Sequence, residues 1–489
     1  MEKQIKFVDT TVRDGPQSLW SLRMRTNMIL PIAEILDNAG FEAVEIMSSP
    51  EFKKCVRDLK EDPWERLRLV RERITKTPLR FIRGRYYNAF QIEPDALVEL
   101  WTERLAAAGI AEHRVSDSSN TVAGWRKHVK VLSSYGVDVI INLIYSYSPK
   151  HTDEYYAEKT RQAAALRPKA LCLKDPGALI TPERVRTLVP VVLANAGDIP
   201  VEFHTHCVTG LGGLCTLEAI RLGVKCVNTA IPPLAEGSSN PSTFNVVSNM
   251  RALGFTPTID VDSLHAVERH FTAIAEQEDL PIGRPMAYDH SQYLHQVPGG
   301  MISIFRAQLS KVGMEDRLPE ALEETARVRA DLGYPIMVTP YSQFVGTQAA
   351  LNVITGGRYK VITDEIIHYA LGWWGEEESS SIDPNVRDII LSSPRAKQLA
   401  GRQPPQLTLK ELRQRYGGPG VSDDELLLRI AADAESVAAM RAAPPGPTYD
   451  GQGEPLVALI ERLSAHSSCR QVQIRRPGLS LTLGRHGVA

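Results

Sequence analysis

Through residues 1–255 the chain repeats one pattern: a short run of Val, Ile, Leu and Phe, a loop, then an amphipathic stretch that often ends at glycine. The apolar runs are IKFVDT, FEAVEIM, LRFIRG, AEHRVSDS, DVIINLIYS, ALCLKDP, PVEFHTH and CVNTAI. Between them, spacing near 3.6 residues predicts helices such as 27–38 before Gly40, 95–108 before Gly109 and 182–196 before Gly197. Strands alternating with helices imply right-handed parallel crossovers. Eight such units in about 250 residues fit a (β/α)8 TIM barrel better than an open doubly wound sheet. No GxGxxG or GxxxxGKS follows any run, which further weakens a nucleotide-binding reading.

Beyond Gly254 the texture changes. Residues 256–441 read as helices (261–276, 318–332, 410–415, 423–432) without alternating strands, the pattern of a mostly α-helical second domain packed on the barrel. Residues 442–455, AAPPGPTYDGQGEP, are a linker by composition. The last piece, 456–489, holds one helical stretch (456–465) and two strand-like ones (470–475, 479–484), too little for a core of its own, and reads as a docking tail.

In a barrel of this kind, active sites sit at the carboxyl ends of the strands. Those positions here are Asp9, Arg13 and Asp14 after the first run, Met47 after the second, Arg83 after the third and Asp117 after the fourth. Lys174 and Asp175 end the sixth run, and His204 and His206 the seventh. Side chains two residues apart on a strand share a face, so the two imidazoles converge. Charged groups in one apolar mouth are costly to bury unless paired or metal-bound, so their convergence points to a metal site.

Composition narrows the partners. Hydrophobic residues at 43% and charged residues at 23% are ordinary for a globular protein. A formal charge of −2 argues against nucleic acid or an anionic membrane surface. The six cysteines form no CxxC pair and read as reduced thiols. The N-terminal MEKQIKFVDTT has no apolar signal core and no run is long enough to span a bilayer, so a cytoplasmic protein is expected.

Eight motifs in register resemble the carboxyltransferase domain family of pyruvate carboxylase, the oxaloacetate decarboxylase α subunit and the transcarboxylase 5S subunit. They are DTTVRDGPQSL (9–19), LKEDPWERLR (59–68), RFIRG (80–84), RVSDSSN (114–120), ALCLKDPGAL (170–179), FHTH (203–206), SSNPS (238–242) and VPGGM (297–301). The resemblance implies that Asp14, Lys174, His204 and His206 ligate a divalent metal, with Lys174 carbamylated because an ammonium has no lone pair to give. Two nitrogens and two oxygens suit Zn²⁺, with Mn²⁺ or Co²⁺ as other possibilities. It further implies that Arg83 grips the carboxylate of a 2-oxo acid, that Arg13 and Gln17 face the developing enolate oxygen, and that a hydroxyl relays a proton between biotin and acceptor. The bland alternatives are Asp14 as a helix cap, Lys174–Asp175 as a rim ion pair, and either arginine as a structural salt bridge.

Departures from the family pattern cluster in the acceptor and biotin pocket. Ser238 stands for the relay Thr, Pro16 for a His in RDAHQS, and SSPEFK replaces GGATFD, so that Lys53 stands for an Asp. Phe90 replaces a Tyr, Cys207 an Asp, and AIPPLAEG stands for AIDSMSG. Intact ligands with a rewritten pocket imply conserved chemistry and an acceptor other than plain pyruvate. The sequence contains no ATP-grasp carboxylase and no Met-Lys-Met biotinylation hairpin. A biotin carboxylase subunit and a biotin carboxyl carrier protein are therefore expected as separate partners of a homo-oligomeric carboxyltransferase subunit. Two rival readings are a biotin-independent metal-dependent lyase or aldolase of the RDG/HxH barrels, and a non-catalytic assembly subunit.

Overall fold

The computed structural model describes residues 3–87, 91–288, 290, 292–293, 296, 309–310, 313–449, 471–476 and 479–484. Each of the eight apolar runs forms a strand: β1 (Gln4–Asp9), β2 (Ala43–Ser48), β3 (Leu79–Arg83), β4 (Glu112–Val115), β5 (Asp138–Ile144), β6 (Ala170–Asp175), β7 (Val201–Thr205) and β8 (Cys226–Thr229). Neighbours pair in parallel in chain order, and β8 returns to β1 through Lys6↔Cys226 to Asp9↔Thr229, closing the barrel. A short ninth strand, Thr256–Pro257, adds to the outer side of β1.

The helices follow the expected bounds closely. Asp95–Ala107 and Pro182–Asn195 lie where spacing puts them, while Pro31 divides the first predicted helix into Thr26–Ile29, a 3-10 turn and Ala33–Asn38. The cause is the missing N–H and fixed φ of proline.

The barrel interior is filled by ions rather than branched apolar residues. Alternation turns Glu45 of β2, Arg80 of β3, Glu112 and Arg114 of β4 and Glu202 of β7 inward. Arg80 forks onto Glu202 (2.8 Å for each nitrogen) and donates its Nε to Glu112 at 2.8 Å. Arg114 reaches Glu45 on one side and Glu202 on the other, the latter at 2.6 Å. Lys169 meets Glu112 at 2.6 Å at the lower rim, and Arg13 meets Glu45 at the mouth. Small inward residues make room for the guanidinium groups: Ala43 and Cys226 pack with Val8, and Ala170 and Cys172 with Ile140. The result is an alternating ladder, Lys169–Glu112–Arg80–Glu202–Arg114–Glu45–Arg13–Asp14, in which every buried charge meets its opposite.

After the barrel the described chain is helical, with a core built on Val328, Tyr341, Phe344, Ile366, Tyr369 and Trp374. Residues Met1–Gly446 form one compact unit and Pro447–Ala489 a second. In the second unit Gln471–Arg476 and Leu479–Gly484 pair as an antiparallel hairpin, near the two strands expected there. The helix expected at 456–465, like the VPGGM motif, lies outside the described residues. No helix among the described residues is long and apolar enough to cross a membrane.

Candidate metal centre and barrel mouth

Asp14 opens the short helix α1 (Asp14–Ser18) directly after β1. Gly15 behind it lets the backbone approach the loop after β8, since a Cβ there would meet Leu234 Cβ at 2.7 Å. Asp14 is buried and is not a cap of this helix. Its Oδ2 lies 3.3 Å from His204 Nε2 and 3.4 Å from His206 Nε2. These three ligand atoms lie within 4.8 Å of one another.

Both imidazoles are set by what holds their other nitrogen. His204 Nδ1 donates to Asn228 Oδ1 at 2.9 Å, and His206 Nδ1 donates to the Ser238 carbonyl at 2.7 Å. Each therefore turns an Nε2 lone pair toward Asp14. Burial pushes His204 down to about 3, with the Lys174 charge adding to it, so it is neutral at ordinary pH. Asn240 Nδ2 stands 3.2 Å from His204 Nε2, while His206 Nε2 is buried with no hydrogen-bond partner among the described residues. Lone pairs facing a carboxylate oxygen repel unless a cation lies between them. Ligands at about 2.0–2.1 Å around a tetrahedral zinc are separated by roughly 3.3 Å, the spacing found here.

Lys174 is in register with His204 across the β6–β7 pair and is buried. Burial pushes its ammonium down to about 8, and the like charge of Arg13 helps. The neutral amine is the form that attacks CO₂, so this environment suits the expected carbamate. Asp175, one residue on, points the other way and accepts Leu179 N–H, Ile180 N–H and the Thr205 hydroxyl at 2.9–3.0 Å. The Lys174–Asp175 rim pair is not formed. The donor set fits a divalent metal.

Arg13 and Gln17 join this cluster. Arg13 Nη2 meets Asp14 at 2.8 Å, and its Nη1 lies 3.4 Å from Gln17 Oε1. Ser238 is exposed, with its hydroxyl donating to Ser18 O at 2.8 Å.

Two expected pocket residues are not brought here. Arg83 lies three positions after the inward Arg80 and so takes the opposite face of β3. It is buried over the Trp101 ring, 5.0 Å to the centroid, in an ion pair with Glu93. In this arrangement its Nη2 is engaged by Glu93, while its buried Nη1 has no hydrogen-bond partner among the described residues. Lys53, half-buried on α2 (Ser49–Lys54), faces the charges of Arg57 and Asp433, while Glu51 of the same helix faces Arg13. Phe90 lies outside the described residues. Asp117 builds a turn, accepting Thr121 N–H and Oγ1–H at 3.1 and 3.0 Å.

The strand-end criterion missed Glu45, Asn228 and Asn240. Asn228 joins His204 to the ladder, since its Oδ1 also accepts Arg114 Nη2 at 2.7 Å. Asn228→Ala should lower metal affinity about 10–100-fold with the fold retained, which metal titration and circular dichroism will check.

The family description "Conserved carboxylase domain" matches residues 293–431, and "HMGL-like" matches 102–270. A pyruvate carboxylase subunit of Methanocaldococcus jannaschii is 38% identical over 391 residues, 79% of this chain and 68% of that one. The methylmalonyl-CoA carboxyltransferase 5S subunit of Propionibacterium freudenreichii subsp. shermanii is 30% identical over 404 residues, 82% of this chain and 78% of that one. The 2-oxoglutarate carboxylase large subunit of Hydrogenobacter thermophilus is 35% identical over 376 residues, 76% of this chain and 58% of that one. Among solved structures, the carboxyl transferase domain of Rhizobium etli pyruvate carboxylase with pyruvate shares the fold. Its TM-score is 0.78 at 24% identity, covering 90% of this chain and 77% of that one. With a closed eight-stranded barrel, a helical region matching the carboxylase description and relatives alike over most of their own length, the chain belongs to the carboxyltransferase family of the biotin-dependent carboxylases.

Proposed function

We propose that this subunit moves CO₂ between carboxybiotin on a separate carrier protein and a small 2-oxo acid or related enolisable carboxylate. The observation that carries the reading is Lys174, buried with a depressed ammonium, beside the convergent Asp14, His204 and His206. A divalent ion bound there, zinc by its donor set, supplies Lewis-acid polarisation of the acceptor's oxo group.

The chain's own residues do the rest. Arg13, held by Asp14 and Glu45, fixes the Gln17 amide, and Gln17 presents its N–H to the oxygen where enolate charge develops. Carboxybiotin breaks its N–C bond to release CO₂. The ureido anion left behind takes the acceptor's methyl proton through the Ser238 hydroxyl, and the enolate carbon forms the new C–C bond to CO₂. With Arg83 tied to Glu93, Gln17 is the donor presented to the acceptor.

Relatives named as subunits support partners that supply the biotin carboxylase and the carrier, and we assign the chain to such a complex as a homo-oligomer. The test is reconstitution with an ATP-dependent biotin carboxylase and a biotinylated carrier. Labelled bicarbonate is then followed into a panel of 2-oxo acids that includes pyruvate and 2-oxoglutarate. No transfer to any of them, or C–C cleavage without biotin, would sink the proposal in favour of the lyase reading. Ser238→Ala should slow transfer about 100-fold or more while leaving bound metal unchanged, as expected for loss of a proton relay.

A further inference from the structure

One buried acid at the mouth has no part in the scheme above. Glu51 is 3% exposed, on the helix that follows β2. Its Oε2 lies 3.0 Å from Ser48 Oγ, and the same hydroxyl lies 3.4 Å from Gln17 Oε1. Gln17 Oε1 is also the atom facing Arg13 Nη1. A guanidinium only donates, so the amide must turn its oxygen to Arg13 and cannot offer its nitrogen to Ser48. Ser48 thus faces two oxygens with a single proton. Both contacts are satisfied together only when Glu51 brings a proton of its own.

The surroundings favour that proton. Burial pushes the Glu51 carboxyl up to about 8, against the pull of Arg13 and Arg66. The charged and titratable groups facing it are Arg13 before α1, Arg66 of the helix Pro63–Arg73, and the Cys55 thiol, with Glu61 behind Arg66.

We propose that Glu51 is a positioning residue: it donates to Ser48, Ser48 donates to Gln17, and the Gln17 amide is locked with its N–H groups turned to the acceptor. This rests on the carboxyl-transfer reading for what Gln17 faces. A plainer role exists, because Ser48 and Glu51 have the spacing of a capping box and the carboxyl also takes the Ser48 backbone N–H. A cap acts on helix stability and has no reason to set a pH limb in ligand binding.

The full chain, loaded with zinc, is titrated with oxalate as an enolate mimic by calorimetry from about pH 6 to 9. This window brackets Glu51's ionisation. Wild type should lose affinity above about pH 8 as Glu51 ionises and claims the Ser48 proton, by about tenfold, the worth of one hydrogen bond. Glu51→Gln donates at every pH and should lose that alkaline limb. Glu51→Ala should lower affinity at all pH values and lower kcat with little change in KM, at unchanged metal content. A Gln variant that keeps the alkaline limb, or an Ala variant with wild-type affinity, overturns the proposal. The oxalate arm needs no biotin, so failure of carboxyl transfer is distinguishable from failure of this relay.

Discussion

Replacing Lys174 by Ala will strip the metal and carboxyl transfer together. Asp14, His204 and His206, whose ligand atoms lie within 4.8 Å of one another, would by themselves leave a tetrahedral ion one donor short. Lys174 is the buried neighbour in register with His204, and its amine is made available by burial and by Arg13. Once carbamylated it offers anionic oxygen, which Ala cannot. The loss of turnover should be at least about 100-fold, the upper end for a residue that only supports a ligand. Lys174→Arg keeps length and charge but forms no carbamate, so it should fail in the same way. Metal analysis beside labelled transfer assays checks both, and a metal-replete, active Ala variant would remove Lys174 from the site.

The second large effect is on stability. Arg114→Met removes one of two guanidinium partners from Glu45, which keeps Arg13, and from Glu202, which keeps Arg80, and should cost about 3 kcal/mol, read as a lower denaturant midpoint. Acid adds a signature. Burial works against both carboxyls, but Arg114 with Arg13 and Arg80 holds each at about 2, below the ordinary 4.5. A depressed carboxyl stabilises the fold above its unfolded value and loses that contribution as pH falls through the folded value. Wild type should therefore lose stability between about pH 4.5 and 2, and the Met variant should lose less over that window. Equal acid sensitivity in both would mean that Arg114 does not set these carboxyls.

Strand positions were legible because each apolar run is short and bounded, and His204 with His206 was legible because period two puts them on one face. The direction of Arg83 is not legible from its place at a strand end. Parity with Arg80 would have turned it outward toward Trp101. Lys53 faces away from Arg13 for the helical version of the same reason: it lies two residues from Glu51, about 200° around the helix, so only one of them faces Arg13. The interior ladder was hidden because a single Glu or Arg inside an apolar run carries no local signal. Its meaning depends on charges from strands far away in sequence, such as Arg80 with Glu202, 122 positions apart.

The ladder also decides where a gas molecule can go. From Lys169 up to Arg13 the barrel's axis is occupied by interlocked ion pairs, which an uncharged, weakly hydrated molecule such as CO₂ has no reason to part. The floor beneath the centre is sealed. In the proposed scheme, carbon dioxide freed above that floor would meet the acceptor or leave by the open mouth of the barrel, so the residues at the mouth would govern how much is wasted.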